Sequence, residues 1–279
     1  MAKLNPSSFI SYLLPFLSAA GAYSRQIQAR TIAHASKGGK TIFHQALSDA
    51  DLTVQSYLEV VLLAKFPELS FFSEEQAQSL NAKYFAKNAD YEVALDPIDG
   101  TRSYLDNRKS YQIIVTLHDR KNIVAVICHA PRLGKCYFAI RGKGAFVLPT
   151  NANAGRTKPK RVRIKDASGP ILLFDSPRVQ AKLSRIHPTI DVLHEYQRSA
   201  VPLTFLDIFE SKVSAQLHSP VQLIDGAALA FIAEEAGAIV TDFCGRPLKN
   251  FRRQQERKLP NLLVSATFEM HRRILDALK

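Results

Sequence analysis

Apolar residues recur at helical spacing early in the chain and at strand spacing after it. Residues 5–30 read as one helix, capped by Asn5 or Ser7 and kinked at Pro15. Leu52–Phe66 carries Leu58, Val61, Leu62 and Phe66 at helical intervals and reads as a second helix, with Asp51 an acid suited to its first turn. Pro67 closes it. Leu69–Phe72 reads as a short strand ending at Ser73-Glu74-Glu75, and residues 76–90 as polar helix and loop. Val93-Ala94-Leu95 ends a buried strand. Ser110–His118, Ile123–His129, Lys135–Arg141 and Gly144–Leu148 then read as four strands joined by short turns, an antiparallel meander.

Residues 149–168 are polar, basic and poor in apolar side chains, and the chain is divided there into halves, 1–150 and 151–279. The second half alternates. Strands are expected at Ile171–Phe174, Thr189–Leu193, Ser214–His218, Ala238–Asp242 and Leu262–Ser265. Helices are expected at Ser176–Ile186, Leu203–Lys212, Asp225–Glu235 and from a Thr267 cap to Leu278. That alternation predicts an α/β layered half beside an α+β half.

Composition narrows the class. A chain of 279 residues with 46% hydrophobic content folds around a substantial core. No stretch has the length of a membrane span. Ile10–Ala22 has the small-x-small ending of a signal peptide, but a single preceding lysine favours an amphipathic first helix. The three cysteines, Cys128, Cys136 and Cys244, form no CxxC pair, which fits a reducing compartment and a cytoplasmic protein. The formal net charge of +12 favours anionic partners. The loop Ala35–Thr41 lacks P-loop spacing. The basic run Lys158–Arg163 lacks the interleaved aromatics of a single-strand binder, so nucleic acid is not the expected partner.

Candidate chemistry lies in Asp96-Pro97-Ile98-Asp99-Gly100-Thr101. Pro97 fixes its own φ and biases Asp96 towards an extended backbone, so both carboxylates can point into one space at a strand end. Ile98 adds a carbonyl oxygen between them. Hard cations such as Mg²⁺ take such oxygen donors, with substrate phosphate completing the shell. Gly100 permits a positive φ, and a helix beginning near Thr101 would offer free N–H groups to phosphate. The same string also suits an ordinary turn. Asp51, Glu74 and Asp225 are further acids at helix starts or strand ends, and capping or solvation accounts for each singly.

Together these residues resemble the signatures of the inositol monophosphatase superfamily, metal-dependent phosphomonoesterases. Asp96–Thr101 matches the first signature in full, Glu74-Glu75 its upstream acid pair, and Asp51 a further upstream acid. Ile224-Asp225-Gly226-Ala227-Ala228-Leu229 with Glu235-Ala236-Gly237-Ala238 is similar to the second signature, departing at Ile224 and Leu229; Ser73 replaces a glycine before the acid pair.

The resemblance implies a layered αβαβα sandwich, commonly a homodimer, that binds two or three Mg²⁺ ions and is inhibited by Li⁺. It implies that Glu74, Asp96 and the Ile98 carbonyl hold one ion, and Asp96, Asp99 and Asp225 another. It pairs Asp51 with Thr101 to activate the attacking water, and gives the Gly100 and Thr101 N–H groups to phosphate. Inositol-cleaving relatives usually carry an acid where His218 stands. The basic start of the loop Thr101–Asn107, at Arg102, is similar to the branch that cleaves 3'(2'),5'-adenosine bisphosphate. That compound is the favoured substrate, with Arg102 and His218 as candidate contacts and inositol or other sugar phosphates as the alternative. A catalytically weak relative that binds nucleic acid or a partner through Lys158–Arg163 and Arg252–Lys258 is the alternative of another class.

Overall fold

The computed structural model describes residues 4–31, 47–150, 157–165, 168–174, 177–199, 202–248 and 258–279. The loop Ala35–Thr41, Ser176, and the basic stretch up to Arg257 lie outside the described residues. The chain forms two compact units, one of residues 1–140 with 147–160, the other of residues 141–146 with 161–279.

The first unit begins with α1 (Pro6–Ile27), capped by the Asn5 side chain, which accepts from Ser7 N at 2.9 Å. Pro15 lies inside α1 without ending it. One face of α1 buries Phe9, Leu13 and Leu17, and it packs on α2 (Asp49–Lys65) and on the sheet. Gly21 permits a close approach to the sheet, because a Cβ there would run into His129 Nε2. The strands are β1 (Ser70–Ser73), β2 (Glu92–Asp99), β3 (Gln112–His118), β4 (Ile123–Ala130), β5 (Lys135–Ile140), β6 (Gly144–Pro149) and β7 (Lys160–Arg161). They lie in the sheet in that sequential order. β1 pairs with β2 in parallel, whereas β2 to β5 form the expected antiparallel meander. The Asp119 carboxylate closes the β3–β4 turn by accepting from Lys121 N and Asn122 N, each at 2.7 Å. Between β1 and β2 the chain makes two 3-10 turns, Gln76–Gln78 and Ala82–Tyr84, and no α-helix.

The second unit holds a five-stranded sheet in the order β12-β14-β10-β8-β9: β8 is Ile171–Phe174, β9 Thr189–Asp191, β10 Ala215–His218, β12 Ile239–Thr241 and β14 Leu262–Ser265. β10 runs parallel to β8 and antiparallel to β14. Alternate residues serve opposite faces. Ile171, Leu173, Ala215, Leu217 and Leu263 form one core cluster with Leu183 of α4 (Pro177–Leu183) and with Met270 and Ile274 of α7 (Phe268–Leu278). On the opposite face Gln216 donates to the Phe205 carbonyl at 2.8 Å, and α6 (Gly226–Glu235) packs nearby.

In the second unit three elements differ from the sequence reading. The strand expected to Leu193 stops at Asp191, whose side chain accepts from His194 N and caps α5 (Val192–Arg198). The helix expected over Leu203–Lys212 is a 3-10 helix, Phe205–Glu210, stopped by Ser211 at φ 56°. A two-stranded ribbon, β11 (Val221–Gln222) with β13 (Lys258–Leu259), has no periodic signature because each strand has two residues.

Candidate active site

β2 carries the signature, and its geometry follows from Pro97. Leu95 is the last residue of β2 to pair with β1. Beyond it, the register with β3 shifts between Asp96, opposite Ile114, and Asp99, opposite Gln112. Three residues on β2 therefore answer two on β3, a one-residue bulge that accommodates a proline with no N–H to donate. In a regular strand, side chains three apart face opposite ways; the extra residue returns Asp99 to the face of Asp96. The Cys128 thiol, buried on the row Asp96–Ile114–Cys128, senses both carboxylates. Burial raises its pKa first, and Asp99 and Asp96 raise it further.

Glu74 enters from the end of β1. Its N–H donates to the Leu95 carbonyl at 3.1 Å, which sets it beside the start of the bulge. Asp99 lies close enough to feel it. Burial, and then the Glu74 carboxylate, push the Asp99 carboxyl up to about 7. Two carboxylates crowded in a desolvated place are the environment that a bound cation relieves.

Thr101 opens α3 (Thr101–Leu105) after Gly100, which holds φ 84°. A Cβ at Gly100 would stand 2.9 Å from the Ser110 carbonyl, so glycine is required for both reasons. The Thr101 hydroxyl lies 2.9 Å from the Ile98 carbonyl and 3.2 Å from Asp51 Oδ1, and its one proton serves both acceptors. Asp51, fully buried in the first turn of α2, is fixed through Oδ2, which accepts from Ser48 N at 2.8 Å and Ser48 Oγ at 2.6 Å. The capping role of Asp51 and its meeting with Thr101 are thus carried by different oxygens.

The remaining candidates are engaged elsewhere. Arg102 forks onto Asp106, Nε to Oδ2 at 3.0 Å and Nη2 to Oδ1 at 2.9 Å. Asp225, in the second unit, caps α6 by accepting from Gly226 N. His218 is buried, stacks on Phe174 with ring centroids 4.2 Å apart, and is held neutral by burial, its pKa lowered to about 3. The sequence reading did not single out Ser48 or Gln55. Ser48 carried a signal, the spacing of a capping box with Asp51. Gln55, one turn after Asp51, donates to the Glu75 carbonyl at 3.0 Å.

Among the described residues, no three His, Cys, Asp or Glu side chains converge on one point. A hard divalent ion needs no such set, since it is held by one or two carboxylates and takes the rest of its shell from carbonyl, water and phosphate oxygens. The all-oxygen donors Glu74, Asp96, Asp99 and the Ile98 carbonyl fit that chemistry, and the raised Asp99 carboxyl marks where the positive charge is wanted.

Comparison with known proteins bears on the fold and the family. The chain is 29% identical over 202 residues to a Streptomyces griseus protein described as a glucose-1-phosphate thymidylyltransferase, covering 71% of this chain and 73% of that one. It is 23% identical over 202 residues to the 3'(2'),5'-bisphosphate nucleotidase CysQ of Escherichia coli K12, covering 71% and 77%. Among solved structures it resembles the Thermotoga maritima IMPase at a TM-score of 0.74 and 19% identity, over 97% of this chain and 96% of that one. It also resembles an IMPase/NADP phosphatase complexed with Mg²⁺ and phosphate, at a TM-score of 0.70 and 17% identity, over 97% and 95%. These likenesses establish the fold as an α+β sandwich of mixed sheets and helices. The model of the inositol monophosphatase family matches residues 12–278, and with nearly the whole chain matched the protein belongs to the inositol monophosphatase family.

Proposed function

We propose that this protein is a Mg²⁺-dependent phosphomonoesterase acting on a small phosphorylated metabolite, with 3'(2'),5'-adenosine bisphosphate the favoured substrate. The observation that carries the reading is the Asp51–Thr101 hydrogen bond beside the bulged end of β2, which carries Asp96 and Asp99 and where Asp99 feels the Glu74 carboxylate. Glu74, Asp96, Asp99, Asp225 and the Ile98 carbonyl are assigned as ligands. When bound there, Mg²⁺ supplies positive charge to the phosphate oxygens and lowers the pKa of the attacking water.

The protein's own residues do the rest. The Thr101 hydroxyl takes the proton of the attacking water as it passes its own to Asp51 Oδ1, so the threonine ends neutral and Asp51 holds the proton. Asp51 remains an oriented acceptor because Ser48 holds Oδ2. The N–H groups of Gly100 and Thr101, at the turn into α3, hold the phosphate oxygens.

Two features support the choice of substrate. The net charge of +12 suits a dianionic phosphate pair. His218 stands where inositol-cleaving relatives usually carry an acid, so no carboxylate is present at that position to repel a second phosphate. Inositol and other sugar monophosphates are the competing substrates.

The test is phosphate release with Mg²⁺ from adenosine 3',5'-bisphosphate, inositol 1-phosphate, fructose 1,6-bisphosphate and histidinol phosphate. The expected result is a clear kcat/KM preference for the first. Asp96→Asn, which removes a ligand charge, is expected to cost more than the roughly 100-fold that changes outside the ligand set reach. Near-wild-type turnover by this variant at saturating Mg²⁺ would refute the site assignment, and a preference for a sugar phosphate would refute the substrate.

A further inference from the structure

The buried face of α2 carries three polar side chains one turn apart, Asp51, Gln55 and Glu59, none more than 2% exposed. Each holds a different part of the surrounding chain. Asp51 meets Thr101. Gln55 Nε2 donates to the Glu75 carbonyl at 3.0 Å. The Glu59 carboxylate accepts from Ser79 Oγ at 2.6 Å and Asn81 Nδ2 at 3.0 Å. A helix face that packs for stability alone is apolar. This one instead grips the irregular segment 74–81, whose only regular piece is the 3-10 turn Gln76–Gln78.

We propose that Gln55 is a positioning residue for Glu74, fixing that carboxylate for the metal. The inference rests on the reading of Glu74 as a ligand. Glu74 is anchored on one side by its own N–H, bonded to the Leu95 carbonyl. On the other side, the Glu75 carbonyl takes two donors, Gln78 N and Gln55 Nε2, both at 3.0 Å. Two consecutive residues so pinned leave the Glu74 side chain little freedom of direction. The Gln78 bond lies within the segment and moves with it, whereas the Gln55 bond ties the segment to the helix that carries Asp51. The two chemical groups, Asp51 and Glu74, are thereby held in common register by one rigid element.

The state of the amide supports a role beyond packing. Gln55 Oε1 is buried with no hydrogen-bond partner among the described residues. A half-satisfied buried amide is poorer for stability than a methionine or leucine of similar size, so it is the donor that justifies the residue.

The test measures Mn²⁺ binding to the full chain by titration calorimetry, with melting temperature recorded beside it. Gln55→Met keeps the volume and deletes the donor. It is expected to bind Mn²⁺ about tenfold more weakly, within the range found for residues that orient ligands. Its Mg²⁺ requirement for half-maximal activity should rise by a similar factor, while kcat at saturating Mg²⁺ stays within about twofold. Gln55→His, which restores an N–H donor, should recover part of the affinity. Glu59→Gln loosens only the far end of the segment and should leave Mn²⁺ affinity unchanged.

Wild-type affinity in Gln55→Met overturns the proposal. If Gln55→Met and Gln55→Leu both fail to fold, the role is structural and the proposal is also overturned. Failure of the wild type to bind Mn²⁺ refutes the ligand reading itself, a distinct outcome from failure at Gln55 alone.

Discussion

At the scale of single residues, the site turns on which oxygen does what. Asp51 uses Oδ2 to receive two donors from Ser48 and Oδ1 to meet Thr101. An amide at this position would turn a nitrogen towards one of these partners and lose its capacity to take a proton. Asp51→Asn is therefore expected to lower kcat by about 100-fold or more, the lower end of general-base effects, while leaving Mn²⁺ affinity unchanged. Stopped-time phosphate assays beside a calorimetric titration would check both halves. The sequence exposed this pair unevenly. Asp96–Thr101 is contiguous and announces itself, whereas Asp51 and Thr101 are fifty residues apart and only the family resemblance pairs them. Gln55 was illegible for the same reason: its partner is a backbone carbonyl twenty residues away, and no side-chain pattern records that.

At the scale of elements, α3 is too short to be stable alone and depends on its neighbours. Gln28, at the end of α1, donates through Nε2 to the Tyr104 carbonyl at 3.1 Å and the Arg108 carbonyl at 2.8 Å. Tyr104 OH donates to the Ser24 carbonyl at 2.8 Å and its ring meets Tyr111 edge-on. Gln28→Ala leaves two carbonyls without this donor and is expected to cost about 1–3 kcal/mol, measurable by urea denaturation. The strands of the meander were readable because turn chemistry separates them, as at Asp119–Asn122. The segment Leu203–Lys212 was not, since its apolar residues suit an α-helix equally well. What decides it is the Thr204–Asp207 capping box, which starts the element, and Ser211 in a left-handed conformation, which ends it after six residues.

At the scale of the whole molecule, buried histidines, His129 and His218 among them, give the stability a pH dependence. His129 is lowered to about 4, by burial and then by Arg25, and His218 to about 3 by burial. Both stay neutral in the folded protein, whereas in the unfolded chain each takes a proton near pH 6.5. At these two positions the unfolded state binds more protons than the native one, so their contribution to stability falls as pH drops from 6.5 towards 4, whereas Asp99, raised to about 7, contributes in the opposite sense. The loss is about 2 kcal/mol per histidine at pH 5 as an upper figure. His218→Phe, which preserves an aromatic ring against Phe174, should flatten part of that slope; an identical slope would contradict the assignment. A different large-scale property follows from strand order. In the seven-stranded sheet, spatial order equals the order of synthesis, so each strand from β3 onward finds its partner already made. The five-stranded sheet cannot close this way, because β14, which follows its neighbours β12 and β10 in the chain, lies between them. Local pairing is fast and distant pairing slow, so a ribosome carrying this chain should hold the first sheet assembled while the second still waits for the strand that joins β12 to β10.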